Sequence, residues 1–244
     1  MNDARSRLIV ALDLPDRKAA LAAVDRLAGH VGCFKLGLEI FIREGPTLVE
    51  RLRQRDVCVF LDLKLHDIPN TVAGAVRSAC RLGVQMLTLH AAGGAKMLEA
   101  ARLAAGGFSH PPALLAVTAL TSLGQSDAKS VGIAGPLEEW VETLATLAYE
   151  SGIRGLVASP LELPRLRRRF GPEVKLVIPG IRPSGTALQD QSRTTQPGDA
   201  IRAGADFLVV GRPILQHEDP GAAADRIVED IAASLAKSNH VAKL

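Results

Sequence analysis

Short apolar runs rich in β-branched residues recur along the chain at 8–12, 33–38, 57–63, 84–89, 113–119, 155–158, 175–178 and 207–210, and each reads as a strand. Between them, and after the last, lie segments with apolar residues at helical spacing: 19–28, 46–54, 72–82, 96–105, 137–150, 161–170, 200–203 and 222–235. The strands are apolar almost throughout rather than alternately, the pattern of a parallel sheet covered by helices. Eight βα units in about 250 residues predict an α/β fold of the (β/α)8, or TIM, barrel type. A doubly wound open sheet is the rival, but its G-x-G-x-x-G turn is missing after the first strand, where Leu12 leads into Asp13-Leu14-Pro15-Asp16. No linker composition or low-complexity tract interrupts the rhythm, so residues 1–244 are read as one catalytic domain.

Composition narrows the class. With 47% hydrophobic and 23% charged residues, the chain can offset the entropy of ordering its backbone, which excludes disorder for its bulk. A formal charge of +3, from 29 basic and 26 acidic residues, is too dispersed to form the basic face that nucleic acid requires. The densest basic cluster, Arg165-Leu166-Arg167-Arg168-Arg169, falls on an outer helix without aromatic neighbours and reads as a solvated face. Cys33, Cys58 and Cys80 are odd in number and lack C-x-x-C spacing, so free thiols in a reducing cytoplasm are expected. No apolar run approaches the roughly 20 residues that span a bilayer, and the first is too short for a secretory signal, so neither membrane nor export is expected.

In a parallel barrel the chemistry sits at the C-terminal strand ends, and here those ends are charged or polar. Strand one ends at Asp13, strand two carries Lys35, strand three runs through Asp62-Leu63-Lys64-Leu65-His66-Asp67, strand four ends at His90, and strand five leads to Thr121. Asp62 and Lys64 are two apart, so both side chains are expected to face the barrel mouth while Leu63 faces the helices. An Asp62–Lys64 ion pair alone could be structural. Three acids and two lysines on one half-buried rim cost several kcal/mol of desolvation per ion, which points to function. His66 and His90 raise the possibility of a divalent metal, but a lysine amid the cluster would repel a dication, so no metal is expected and the imidazoles are read as supporting hydrogen-bonding groups.

Strand seven runs into Pro179-Gly180-Ile181-Arg182-Pro183 and strand eight into Gly211-Arg212-Pro213. Each joins a backbone-freeing glycine to a guanidinium, at the two loops where such barrels commonly hold phosphate. Polar stretches between Arg182 and Pro197, and from Thr121 to Gly135, have no apolar periodicity and read either as lids or as mobile surface loops. As a lid, the first would bring Gln191 to a phosphate.

Together these residues resemble the orotidine 5′-phosphate decarboxylase family. Asp62-Leu63-Lys64-Leu65-His66-Asp67-Ile68-Pro69-Asn70-Thr71 resembles the family signature, and Ala11-Leu12-Asp13, Lys35-Leu36-Gly37, Leu120-Thr121-Ser122, Pro179-Gly180-Ile181-Arg182-Pro183, Asp190-Gln191 and Gly211-Arg212-Pro213 follow in the family's order. The resemblance implies cofactor-free decarboxylation of orotidine 5′-phosphate to UMP, a nucleotide substrate, and a cytoplasmic homodimer. Asp13 and Lys35 would contact the ribose, Asp62 would lie beside the substrate carboxylate, and Lys64 would donate the proton. Asp67 and Thr71 would reach the neighbouring subunit's site. Thr121 would contact the pyrimidine, and Arg182, Gln191, Gly211 and Arg212 would hold the phosphate. Gln196 departs from the threonine expected before Pro197, which touches only a helix cap. The D-x-K-x-x-D pattern alone also resembles magnesium-dependent sugar-phosphate decarboxylases and synthases of the same barrel, and a non-catalytic nucleotide-binding barrel is a third reading.

Overall fold

The structure, a computed structural model, describes residues 2–183 and 195–241. Strands β1 (Leu8–Ala11), β2 (Cys33–Leu36), β3 (Val59–Leu65), β4 (Met86–His90), β5 (Ala113–Val117), β6 (Gly155–Val157), β7 (Lys175–Ile178) and β8 (Phe207–Val210) pair in parallel in chain order, and β8 returns to β1 to close the barrel. The expected helices lie at Arg17–Leu27, Pro46–Arg53, Pro69–Arg81, Ala95–Gly106, Leu137–Glu150, Leu163–Phe170, Pro197–Arg202 and Pro220–Val241. The (β/α)8 expectation therefore holds. Among the described residues, no helix is long and apolar enough to cross a membrane.

The near-continuous apolarity of the strands follows from burial on both faces. On β1, Leu8 and Val10 pack outward beneath the helices, while Ile9 and Ala11 point into the barrel. The interior is filled by Ile9, Cys33, Phe60, Leu115, Val177 and Val209. Gly155 belongs to the same inner layer because a Cβ there would come within 2.4 Å of Leu115 Cδ2. The barrel is thus a packed core below, with a cavity at its mouth.

Several sequence expectations need correction. The second strand stops at Leu36 rather than residue 38, because Gly37 caps a further helix, Leu38–Glu44. Part of the polar stretch after β5 is also helical, at Gln125–Ser130, where the Asp127 carboxylate accepts the Gly124 N–H at 2.9 Å. Cys33 and Cys58 are not free thiols: their Cα atoms lie 4.5 Å apart and a disulfide joins them inside the barrel, whereas Cys80 is free and buried. The parallel pairing of β2 with β3 brings them together, and no short-range cysteine spacing announces that contact.

The basic helix face is not simply solvated either. Arg165 and Arg169 pair with Glu142 of the preceding helix, Arg169 at 2.8 Å. Arg167 donates to the Gly204 and Val174 carbonyls and pairs with Asp206 at 2.5 Å, tying together the chain before β7 and before β8.

Gln196 occupies the N-cap of the Pro197–Arg202 helix without a capping side-chain bond. Asp230, from the last helix, supplies one instead, accepting the Gly198 N–H at 2.7 Å. The fit is close, since a Cβ on Gly198 would meet Asp230 Oδ1 at 2.5 Å. Asp230→Ala should therefore cost about 1 kcal/mol, the usual loss on removing a cap. Urea unfolding would show it as a lower midpoint with an unchanged slope; an unmoved midpoint would mean that water caps this helix equally well.

Candidate active site

The inward positions of β1, β2 and β3 change from apolar to charged as they rise. Ala11 is followed by Asp13, Cys33 by Lys35, and Phe60 by Asp62 and then Lys64. These four charged side chains line a cavity of about 230 Å³, together with Thr121 after β5, Gly180 and Arg182 after β7, and Gly211 and Arg212 after β8. Eight of the eleven residues singled out in sequence thus converge on one cavity. Asp67 and Thr71 do not line it: both are exposed, and Asp67 Oδ1 accepts the Ile68 N–H at 2.6 Å, beside an Ile68 side chain that is 66% exposed. Gln191 lies outside the described residues.

The four charges alternate in sign. Lys35 Nζ lies 3.8 Å from Asp13 Oδ1 and 3.3 Å from Asp62 Oδ2, and Lys64 Nζ lies 2.8 Å from Asp62 Oδ1. Lys35 and Asp62 are nearly enclosed, with side chains 11% and 14% exposed. Burial alone would raise the Asp62 carboxyl pKa. The Lys35 and Lys64 ammoniums, with hydrogen bonds from Lys64 and Thr88, outweigh burial and hold it below the ordinary carboxylate range. Asp62 is therefore an anion throughout the neutral range.

Asp62 and Lys64 do share a face, but not by simple strand alternation. β3 pairs with β4 at Leu61↔Leu87 and next at Leu65↔Leu89, so four steps of β3 match two of β4. The surplus forms a bulge at the cavity wall. Lys64 takes φ +50, a left-handed conformation that costs a side-chain-bearing residue about 1–2 kcal/mol. Its N–H donates to Thr88 Oγ1 at 2.9 Å, and Thr88 Oγ1 lies 3.0 Å from Asp62 Oδ1. Sequence reading missed Thr88, which looks like a β-branched core residue in an apolar run. The one available signal is its place two residues before His90 on the inward face.

His66 and His90 pack at the rim with their rings tilted 39° to each other and centroids 5.4 Å apart. Burial, then the neighbouring His66 and Lys64, push the His90 pKa down. No three potential metal-binding side chains gather among the described residues. On the β7 side, Gly180 adopts φ +77, and its carbonyl accepts the Thr195 N–H at 3.3 Å while Arg182 N–H donates to Thr195 O at 2.9 Å. These bonds fasten the two ends of the intervening segment beside the cavity.

A closed parallel barrel with its polar cavity at the C-terminal strand ends has the architecture of a (β/α)8 enzyme. Comparison with known proteins specifies which kind. The family model described as "Orotidine 5'-phosphate decarboxylase / HUMPS family" matches residues 6–227, and the chain belongs to that family. It is 50% identical over 238 residues to the orotidine 5′-phosphate decarboxylase of Syntrophotalea carbinolica, covering 96% of this chain and 98% of the relative. The enzyme of the same name from Moorella thermoacetica is 49% identical, covering 93% of each. A crystal structure of orotidine 5′-phosphate decarboxylase from Lactobacillus acidophilus superposes with a TM-score of 0.83 at 35% identity, covering 92% of this chain and 98% of that one.

The lowered His90 pKa has a defined consequence for stability. As pH falls below about 6.5, the unfolded chain takes up the His90 proton before the folded one, so stability is full above that value and declines in acid. His90→Gln should flatten the decline measured by urea unfolding between about pH 7.5 and about pH 5.5. An unchanged slope would show that protonation of this imidazole is not linked to folding.

Proposed function

We propose that this protein is a cytoplasmic enzyme of pyrimidine nucleotide synthesis that decarboxylates orotidine 5′-phosphate to UMP and carbon dioxide without a cofactor, with Lys64 as the proton donor. The observation that carries this reading is the alternation Asp13–Lys35–Asp62–Lys64, with Lys35 and Asp62 nearly enclosed at its centre, on the wall of a cavity that also holds Arg182 and Arg212. The relatives named above, similar over nearly their whole length, bear that enzyme's name.

The chemistry explains why such an array is useful. When the bond to the departing carboxyl breaks, its electron pair stays on a ring carbon with no adjacent carbonyl to accept it. An ammonium about 4 Å from that charge contributes about 4 kcal/mol at an effective dielectric near 20. That stabilisation grows as the charge develops, so it favours the transition state over the ground state. Lys64 supplies this charge and then its Nζ proton to the carbon. Lys35 holds Asp62 from the other side, and the anionic Asp62 repels the substrate carboxylate, a repulsion relieved when carbon dioxide leaves.

The remaining roles follow from the loops. Asp13 and Lys35 contact the ribose and Thr121 the pyrimidine, while Arg182, Gln191, Gly211 and Arg212 take the phosphate, whose binding energy holds the ring against that repulsion. In the homodimer of this reading, Asp67 and Thr71 enter the neighbouring subunit's site. Both are exposed here, outside this chain's own cavity, as that role requires.

The magnesium-dependent sugar-phosphate reading is disfavoured by the donor set. Both Asp62 oxygens already face ammoniums at 3.3 and 2.8 Å, and a dication would meet the same two charges. Orotidine 5′-phosphate absorbance followed with purified protein tests the assignment directly: turnover undiminished by exhaustive chelation is expected, and metal-dependent turnover or nucleotide binding without turnover would replace it with one of the rivals.

Two variants separate chemistry from binding. Lys64→Ala should lower kcat about a thousandfold or more, as loss of about 4 kcal/mol implies, while largely retaining UMP binding. Substantial residual decarboxylation would remove Lys64 from its role. Arg212→Ala should weaken binding and kcat/KM for the phosphorylated substrate and leave turnover of the dephosphorylated nucleoside nearly unchanged; equal losses on both would exclude it from the phosphate site.

A further inference from the structure

We propose that Thr88 is a positioning residue whose hydroxyl sets the backbone of Lys64 and the carboxylate of Asp62 in one working geometry, an inference that rests on the decarboxylase reading of the site. Thr88 is fully buried on β4, at the inward position between Met86 and His90, and faces the bulge of β3. The bulge interrupts the regular register between β3 and β4 at the point where Lys64 adopts φ +50. The Lys64 N–H, which needs an acceptor in this half-buried position, finds Thr88 Oγ1 at 2.9 Å.

That bond fixes the direction of the next one. A hydroxyl has one proton, and Lys64 N–H can only donate, so the Thr88 proton is directed to Asp62 Oδ1, 3.0 Å away. The same oxygen receives the Lys64 ammonium at 2.8 Å. Thr88 therefore holds Lys64 by its backbone and holds the anion that holds Lys64 by its tip. An ordinary core residue of the same shape could fill the space and do neither.

The test pairs Thr88→Val, which keeps the shape and deletes the hydroxyl, with Thr88→Ser, which keeps the hydroxyl. Thr88→Val should lower kcat about 10- to 100-fold, the range for a buried donor and acceptor that lose a partner, with UMP affinity changed less than about threefold. Its acid limb in the kcat/KM pH profile should move to higher pH, because Asp62 loses a hydrogen bond that favours its anion. Thr88→Ser should retain kcat within about threefold of wild type. A valine variant with wild-type kcat, or a serine variant as impaired as valine, overturns the proposal.

Thr88→Ala repeats the deletion if the valine variant does not fold. Failure of the underlying reading is separable, because it shows as absent turnover in the wild-type protein. In that event crystal structures of the wild-type protein and Thr88→Val still decide the matter: Lys64 leaving the left-handed region only in the variant supports the role, and Lys64 unmoved overturns it.

Discussion

The mouth of the barrel depends on one anion held between two cations. Asp62 is largely enclosed, and an enclosed carboxylate is tolerable only if its charge is answered. Lys35 answers one oxygen and Lys64 the other, and Asp13 in turn partners Lys35. Lys35 and Asp62 are each costly to bury alone, so neither can be removed without exposing the cost of the other. This mutual dependence holds two ammoniums at fixed points in the cavity without a metal ligand set. Beneath the charges, Ile9, Phe60 and Val209 close the barrel interior.

The scaffold and the chemistry use the same strands in different ways. Below the mouth, the inward positions of β1, β2 and β3 are apolar or cysteine; one or two pleats higher they are charged. β3 departs from regular pairing where the chemistry is densest, then rejoins β4 at Leu65↔Leu89. The extra length is absorbed locally and the barrel still closes.

Much of this was legible in the chain. Strands buried on both faces leave an unmistakable rhythm, so all eight are legible, and period-two spacing puts Asp62 and Lys64 on one face, although a bulge with Lys64 at φ +50 rather than regular alternation brings them there. What escaped depends on contacts between segments distant in sequence. The bulge is a mismatch between β3 and β4 and has no signature in either alone. Thr88 is indistinguishable from a core threonine until β3 is placed beside it. The Cys33–Cys58 pair arises from strand adjacency, and Arg167 looked solvated because its carbonyl partners and Asp206 belong to other loops. Asp67 and Thr71 show the complementary case: the signature names them, and the structure leaves them on the surface, outside the cavity.

The alternation of charge also separates two ranges of electrostatic influence. Among the described charged residues lining the cavity, the carboxylates of Asp13 and Asp62 balance the ammoniums of Lys35 and Lys64. At more than a Debye length, about 8 Å at physiological ionic strength, the cancelled set is nearly invisible to an approaching anion. The nearly enclosed pair at its centre, Lys35 and Asp62, is internally balanced and largely insulated from the medium.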